Sequence, residues 1–157
     1  MSKTQKYKLD LAWKGNRGAG TMTYTSYDRD FISQAESKHE IHGSSHPAFR
    51  GNKDRYCPEE LLLASISSCH MLWYLHKCAA NEVVVLSYED QPIMEMEVKE
   101  FGNGDIRSAT LSPVVRIASQ DQRDQALDLH KAAHESCFIA KGVNFDIIIK
   151  PAILDES

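Results

Sequence analysis

Cys57-Pro58-Glu59-Glu60-Leu61-Leu62-Leu63-Ala64-Ser65-Ile66-Ser67-Ser68-Cys69-His70, continuing to Ala80, is the stretch that decides the fold. Pro58 suits a first helical position, where its missing N–H has no partner to lose. Glu59 and Glu60 follow, and negative charge suits the positive end of a helix. Asn81 suits the closing C′ position. Between these marks the segment is apolar on nearly every face. Leu62, Ile66, Cys69 and Trp73 form one stripe, and Leu61, Ala64, Met71 and Leu75 form another. A helix apolar all round is a buried helix. Ala64, Ser65, Ser67 and Ser68 are small enough to let a second backbone come close. The pattern therefore places a thiol, Cys69, midway along the most buried element of the chain.

The bulk numbers bound what surrounds that helix. With 157 residues, the chain is most simply one domain over 1–157. Its 42% hydrophobic and 25% charged residues are ordinary for a globular protein. A net charge of −4 leaves no basic footprint, so nucleic acid is not an expected partner. Met1 to Lys6 is polar and lacks the apolar core of a signal peptide. The run Leu61–Leu75 is too short to span a bilayer and carries serines and a histidine. The sequence thus predicts a cytoplasmic protein without a membrane partner. Four cysteines in that setting favour free or redox-active thiols over a disulfide framework.

Upstream of the helix, Tyr7, Leu9, Leu11 and Trp13 alternate with polar residues, as in a half-buried strand. Gly15-Asn16-Arg17-Gly18 reads as a turn, and Thr21–Thr25 as the returning arm of a hairpin. Phe31-Ile32 and His39-Glu40-Ile41 are weaker strand candidates. A loop runs from Gly43 to Asp54. Downstream, Val83–Leu86 is β-branched and apolar, and Met94, Met96 and Val98 alternate with charges. Ala109, Leu111, Val115 and Ile117 continue as a further arm, with Pro113 marking an edge or a bulge. Ser119 and Gln122 have capping-box spacing, and a second helix is predicted to about Ala140, closed by Gly142. Its stripe is Ala126, His130, Ala133 and Cys137. Val143, Phe145, Ile147 and Ile149 alternate as a last strand. Strands, buried helix, strands, helix, strand is an α+β order, with antiparallel hairpins covering two helices.

Cys69 and Cys137 each fall on a predicted buried helix, beside small neighbours. One reading makes both core cysteines, since free cysteine is among the most buried residue types. The other makes them a reactive thiol and its resolving partner. That reading needs a cation or base near Cys69, because the thiolate is the nucleophile and burial alone raises its pKa. Arg17 in the Gly-rich turn and Arg50 in the loop before the helix are the candidates, with Glu59 as the carboxylate that orients one of them. Glu59 precedes Cys69 by ten positions, about 15 Å along a continuous helix. A single chain cannot bring both to one compact site, so Glu59 serves Cys69 only from a second chain. The all-round apolar helix also calls for cover. The sequence predicts a homodimer with shared sites.

Arg17-Gly18-Ala19-Gly20-Thr21, Phe49-Arg50-Gly51, Pro58-Glu59-Glu60-Leu61-Leu62, Ser68-Cys69 and the late Cys137 together resemble the OsmC/Ohr family of thiol-dependent peroxidases, more its OsmC-like branch. The resemblance implies an intertwined α+β homodimer with two interface sites. It implies that Cys69 attacks a hydroperoxide and that its sulfenic acid condenses with Cys137 to a disulfide. By the same resemblance Arg17 stabilises the thiolate and the developing alkoxide, Glu59 holds that arginine, and Arg50 is the alternative cation. An external dithiol, often a lipoyl group on a partner protein, serves as reductant, and no metal, haem or flavin is required. Two departures stand out. Cys57 replaces the usual Asn before Pro-Glu, a poor N-cap for a good one, and is a competing resolving thiol. Phe138 follows Cys137 where Pro is common. Cys78 reads as packing.

Other readings compete. His130, His134 and Cys137, at i, i+4 and i+7, have a spacing that can present metal ligands. His70 follows Cys69 but points about 100° away round a helix. Trp73, Tyr74, Met71, Met94 and Met96 are either core or the lining of an apolar approach suited to bulky organic peroxides. Finally, the same scaffold serves a non-catalytic redox sensor or small-molecule binder, which oxidises once and does not turn over.

Overall fold

The computed structural model describes residues 2 to 154, without the side chain of Phe101. Its contacts divide the chain into two compact units, Met1–Leu61 and Leu62–Ser157.

In the first unit, β1 (Asp10–Trp13), β2 (Phe31–Gln34) and β3 (Ile41–Gly43) form an antiparallel sheet in sequence order. The register pairs Trp13 with Phe31 and Ile32 with His42. The predicted return arm at Thr21–Thr25 is therefore corrected: β2 pairs with β1, and Thr21–Thr25 lies in consecutive turns. Side chains explain the change. The Ser26 hydroxyl donates to Gly20 O at 2.8 Å and accepts from Thr23 N at 3.0 Å. Asn16 Oδ1 accepts from Gly18 N and Gly20 N at 2.8 and 3.0 Å. Such bonds offer the backbone an alternative to a ladder. Gly15 is required here, since a Cβ would sit 1.8 Å from the Asp28 carbonyl oxygen. All four β1 residues are exposed, so its alternation does not mark a face buried within the unit.

Helix α1 (Pro58–Ala80) is continuous, as the quoted stretch predicts. Its start is better fastened than Cys57 alone suggests. Glu60 Oε2 accepts from Cys57 N at 2.9 Å, the acidic half of a capping box. Its end is a Schellman motif, with Val83 N donating to Cys78 O at 2.9 Å and Glu82 N to Ala79 O at 3.3 Å. The left-handed residue is Glu82 (φ 58°), not Asn81, which folds its amide back on Lys77 O at 2.8 Å.

The second unit holds the rest of α1, helices α2 (Arg123–Ser136) and α3 (Phe138–Gly142), and two three-stranded sheets. One sheet has the order β4 (Val85–Glu89), β7 (Val114–Ile117), β9 (Ala152–Leu154). The other has β5 (Ile93–Val98), β6 (Gly104–Leu111), β8 (Asp146–Ile149). Pairing is mixed rather than purely antiparallel: β6 runs parallel to β8 and β7 to β9. The two sheets are halves of one bent arrangement. Chains cross from one to the other at Asp90-Gln91-Pro92, Ser112-Pro113 and Lys150-Pro151. Proline lacks the donor a continuous ladder needs, so it falls where strands break. The bend remains tied, as Lys150 N donates to Leu111 O and Ala152 N to Pro113 O, both at 2.8 Å. The single predicted arm from Ala109 to Ile117 thus becomes two strands, and β9 extends the predicted last strand past Pro151.

Two cores follow from this bend. Tyr74, Cys78, Val83, Val115, Ile117, Ala126, Ala133 and Ile153 form one, joining α1, α2 and the β7–β9 half. Ile66, Ala109 and Leu111 form the other, with Leu62, Met94, Phe145, Ile147 and Ile149 packed against it. The most buried stripe of α1 is Ile66, His70, Tyr74 and Cys78, rotated by one residue from the predicted Leu62–Ile66–Cys69–Trp73 line. Cys69 is consequently half-buried rather than at the centre.

Candidate functional site

Cys69 and Cys137 are joined by a disulfide with Cα atoms 5.9 Å apart. Cys69 lies mid-α1 and is half-buried. The second sulfur is placed differently from expectation. Instead of a helix running to Ala140, α2 ends at Ser136 and Cys137 takes extended backbone (φ −71°, ψ 114°) before α3 begins. Cys137 caps α3 at the break, its Sγ accepting from Ala140 N at 3.4 Å. No proline is needed at 138. Ser119, the predicted cap of α2, makes no side-chain capping bond; a single 3-10 turn over Gln120–Gln122 leads into the helix instead.

Cys137 is buried, while its neighbour Phe138 is 73% exposed. Phe138 stacks edge-on to Trp73 (centroids 5.6 Å), which also meets His76 at 5.7 Å and lies under the Lys77 ammonium. An aromatic surface thus borders the disulfide. Tyr74 belongs to the core, and Met94 packs near Ile66. The other two cysteines, Cys57 and Cys78, are free and buried, and burial is the main cause pushing both thiols up. Neither has the depressed pKa of a reactive thiol.

A second polar feature adjoins the disulfide. His70 Nε2 and His130 Nδ1 are 3.0 Å apart, and both rings are buried. Tyr74 stacks on His130 with centroids 3.8 Å apart and planes 12° from parallel. Burial holds His70 down to about 4, with His134 adding to the shift and Asp90 opposing it. Burial, then His70, holds His130 down to about 3. Both imidazoles are therefore neutral at pH 7, one donating and one accepting. The spacing that suggested metal ligands on α2 is explained in part by this pair. Among the described residues no three His, Cys, Asp or Glu side chains are grouped to hold a metal. The α1–sheet junction is fixed by Asp90, whose carboxylate accepts from Ser67 Oγ at 2.6 Å and Ser112 N at 2.7 Å. Sequence reasoning missed Asp90, since an isolated Asp before Pro92 reads only as a turn.

The first unit holds the candidate cations. Arg17 sits in the loop organised by Asn16, where it donates to Thr25 O and pairs with Asp28 at 3.6 Å, half-exposed. Arg50 is exposed and adopts left-handed backbone (φ 63°), its guanidinium 6.0 Å from the Tyr24 ring centre. A non-glycine residue held there stores local strain, a feature that gathers at functional sites. Glu59 Oε2 is buried and accepts no hydrogen bond.

The fold is a small α+β arrangement whose disulfide between Cys69 and Cys137 fits a redox role. The OsmC-like protein family model matches residues 51–151, and the chain belongs to that family. Among solved structures, an OsmC-like protein of unknown function from Vibrio cholerae is 25% identical, with a TM-score of 0.84 over 94% of this chain and 99% of that one. An organic hydroperoxide resistance protein from Elizabethkingia anophelis is 15% identical (TM-score 0.66, covering 98% of this chain and all, 100%, of that one). One from Bacillus subtilis is 18% identical (TM-score 0.61, covering 96% and 98%). No curated protein matches the chain.

Proposed function

We propose that this protein is a cysteine-based peroxidase that reduces organic hydroperoxides, as a homodimer of one OsmC-like domain per chain. The observation that carries this reading is the Cys69–Cys137 disulfide between a mid-helix position and a helix break. The Cys69 thiolate attacks the hydroperoxide and the O–O bond breaks. One oxygen stays on sulfur as a sulfenic acid, and the other leaves as an alkoxide that takes up a proton to become the alcohol. The Cys137 sulfur then displaces the sulfenic hydroxyl, which leaves as water with the Cys137 proton. An external dithiol, by family likeness a lipoyl group, reduces the disulfide and is itself oxidised to a disulfide.

Arg17, or Arg50 in its place, supplies the positive charge that lowers the Cys69 pKa, and Glu59 from a partner chain orients it. Glu59 suits that role because its buried Oε2 lacks a hydrogen-bond donor within the unit. The dimer is favoured by the exposed β1, with Leu11 68% and Trp13 45% accessible in the single chain. The chemistry asks for neither metal nor organic cofactor. The unpaired Cys57 and Cys78 suit a reducing compartment such as the cytoplasm. The similar proteins named for organic hydroperoxide resistance and the aromatic surface at Trp73 and Phe138 favour a bulky organic substrate.

The test uses Cys137→Ser, reduced and then given one equivalent of cumene hydroperoxide with dimedone present. A single dimedone adduct on Cys69 is expected. Absence of that adduct, with the peroxide unconsumed, would count against the assignment.

A further inference from the structure

The buried pair His70–His130 has no part in the thiol chemistry above, yet it bridges the same two segments as the disulfide. His70 follows Cys69 directly on α1. His130 lies on α2, seven residues before Cys137, the residue at which that helix ends. Their 3.0 Å bond joins two nearly fully buried rings, 1% and 2% exposed. Tyr74, one turn beyond His70, stacks on His130 and fixes its ring plane. Tyr74, Tyr88, His134 and Asp90 are neighbours of the pair, and Lys131 shares a cavity wall with His130 and His134. None offers either imidazole an ion pair within 4 Å. A neutral bond in such surroundings is directional and costly to break, because each ring would be left buried without its partner.

We propose that the His70–His130 hydrogen bond is a non-covalent latch that holds α1 and α2 in register when the disulfide is open, so that the Cys69 and Cys137 sulfurs stay poised to join. His70 and His130 are then positioning residues for the resolving step, an inference that rests on the thiol assignment above. The physical basis is preorganisation. A contact that already fixes the two helices removes part of the ordering cost of disulfide closure and raises the effective concentration of one sulfur at the other. The coupling is reciprocal, so the closed disulfide strengthens the latch in turn.

The equilibrium between dithiol and disulfide forms, set with reduced and oxidised dithiothreitol, reads the latch without any peroxide. One dithiothreitol is oxidised for each protein disulfide reduced, so the equilibrium constant follows from the fraction of protein oxidised. His130→Phe keeps the stacking but removes the bond, and should weaken disulfide formation by up to about tenfold, the limit in which the whole of one net buried hydrogen bond goes into keeping the sulfurs poised. His130→Asn restores a polar group near the Nδ1 position and should return the constant to within about threefold of wild type. If His130→Phe does not fold, His70→Phe/His130→Phe removes both partners, leaves neither unsatisfied, and should show the same loss. A constant unchanged in the Phe variants, or lowered equally by Phe and Asn, would overturn the latch. Peroxide turnover, measured separately, reports only on the proposed function, so the two can fail independently.

Discussion

Asp90 holds Ser67 at 2.6 Å, fastening the sheet bend to α1 two residues before Cys69. The other oxygen of the same carboxylate takes the backbone N–H of Ser112 at 2.7 Å, between β6 and β7. One side chain thus ties a helix to two of the three crossings between the sheets. Hydrogen bonds to charged acceptors are stronger than neutral ones. Asp90→Ala should destabilise the protein by about 2–4 kcal/mol and Ser67→Ala by about 1 kcal/mol, read from urea midpoints. A double-mutant cycle should show coupling between them. Additive losses would place the value of Asp90 at Ser112 alone.

Acid stability follows from the two buried imidazoles. Their folded pKa values, about 4 for His70 and about 3 for His130, lie below the unfolded value near 6.5. Between these limits the unfolded chain binds more protons than the folded one, so stability rises with pH through that window and falls on acidification below about 6.5. Moving from pH 7 to pH 5 should cost on the order of 2 kcal/mol for each imidazole. Urea titrations at the two values measure it. His70→Phe/His130→Phe should lose most of this dependence, and retention of the full slope would assign it to other groups.

Glu82 ends α1 in left-handed backbone (φ 58°), where a side chain is unfavourable and glycine is not. Its side chain is exposed. Glu82→Gly should therefore stabilise the protein by about 0.5–1 kcal/mol, seen as a rise in Tm. A loss of stability would mean that the unfolded chain's gain in freedom outweighs the relief.

Much of this architecture is legible from local pattern. Pro58, Glu59 and Glu60 mark the start of α1 because capping is a short-range effect, and Met94–Val98 alternates plainly enough to place β5. The misreadings have long-range or side-chain causes. Thr21–Thr25 has strand composition, but Ser26 and Asn16 hold its surroundings in turns. Pro113 marks a break, yet only pairing with the Lys150-Pro151 crossing reveals a bend between sheets. At the site, the family likeness brings out Cys69 and Cys137, whereas the helix break at Cys137, where its sulfur caps α3, has no proline or glycine to announce it. Asp90 and the bond between His70 and His130 join residues far apart in sequence, and no local spacing announces them.

Consumption of cumene hydroperoxide by the protein with excess dihydrolipoamide should continue for many equivalents and disappear in Cys69→Ser. Cys137→Ser should lose sustained turnover while still reacting once. Consumption that stops after one equivalent in the wild type, or that persists in Cys69→Ser, would rule out catalysis by Cys69.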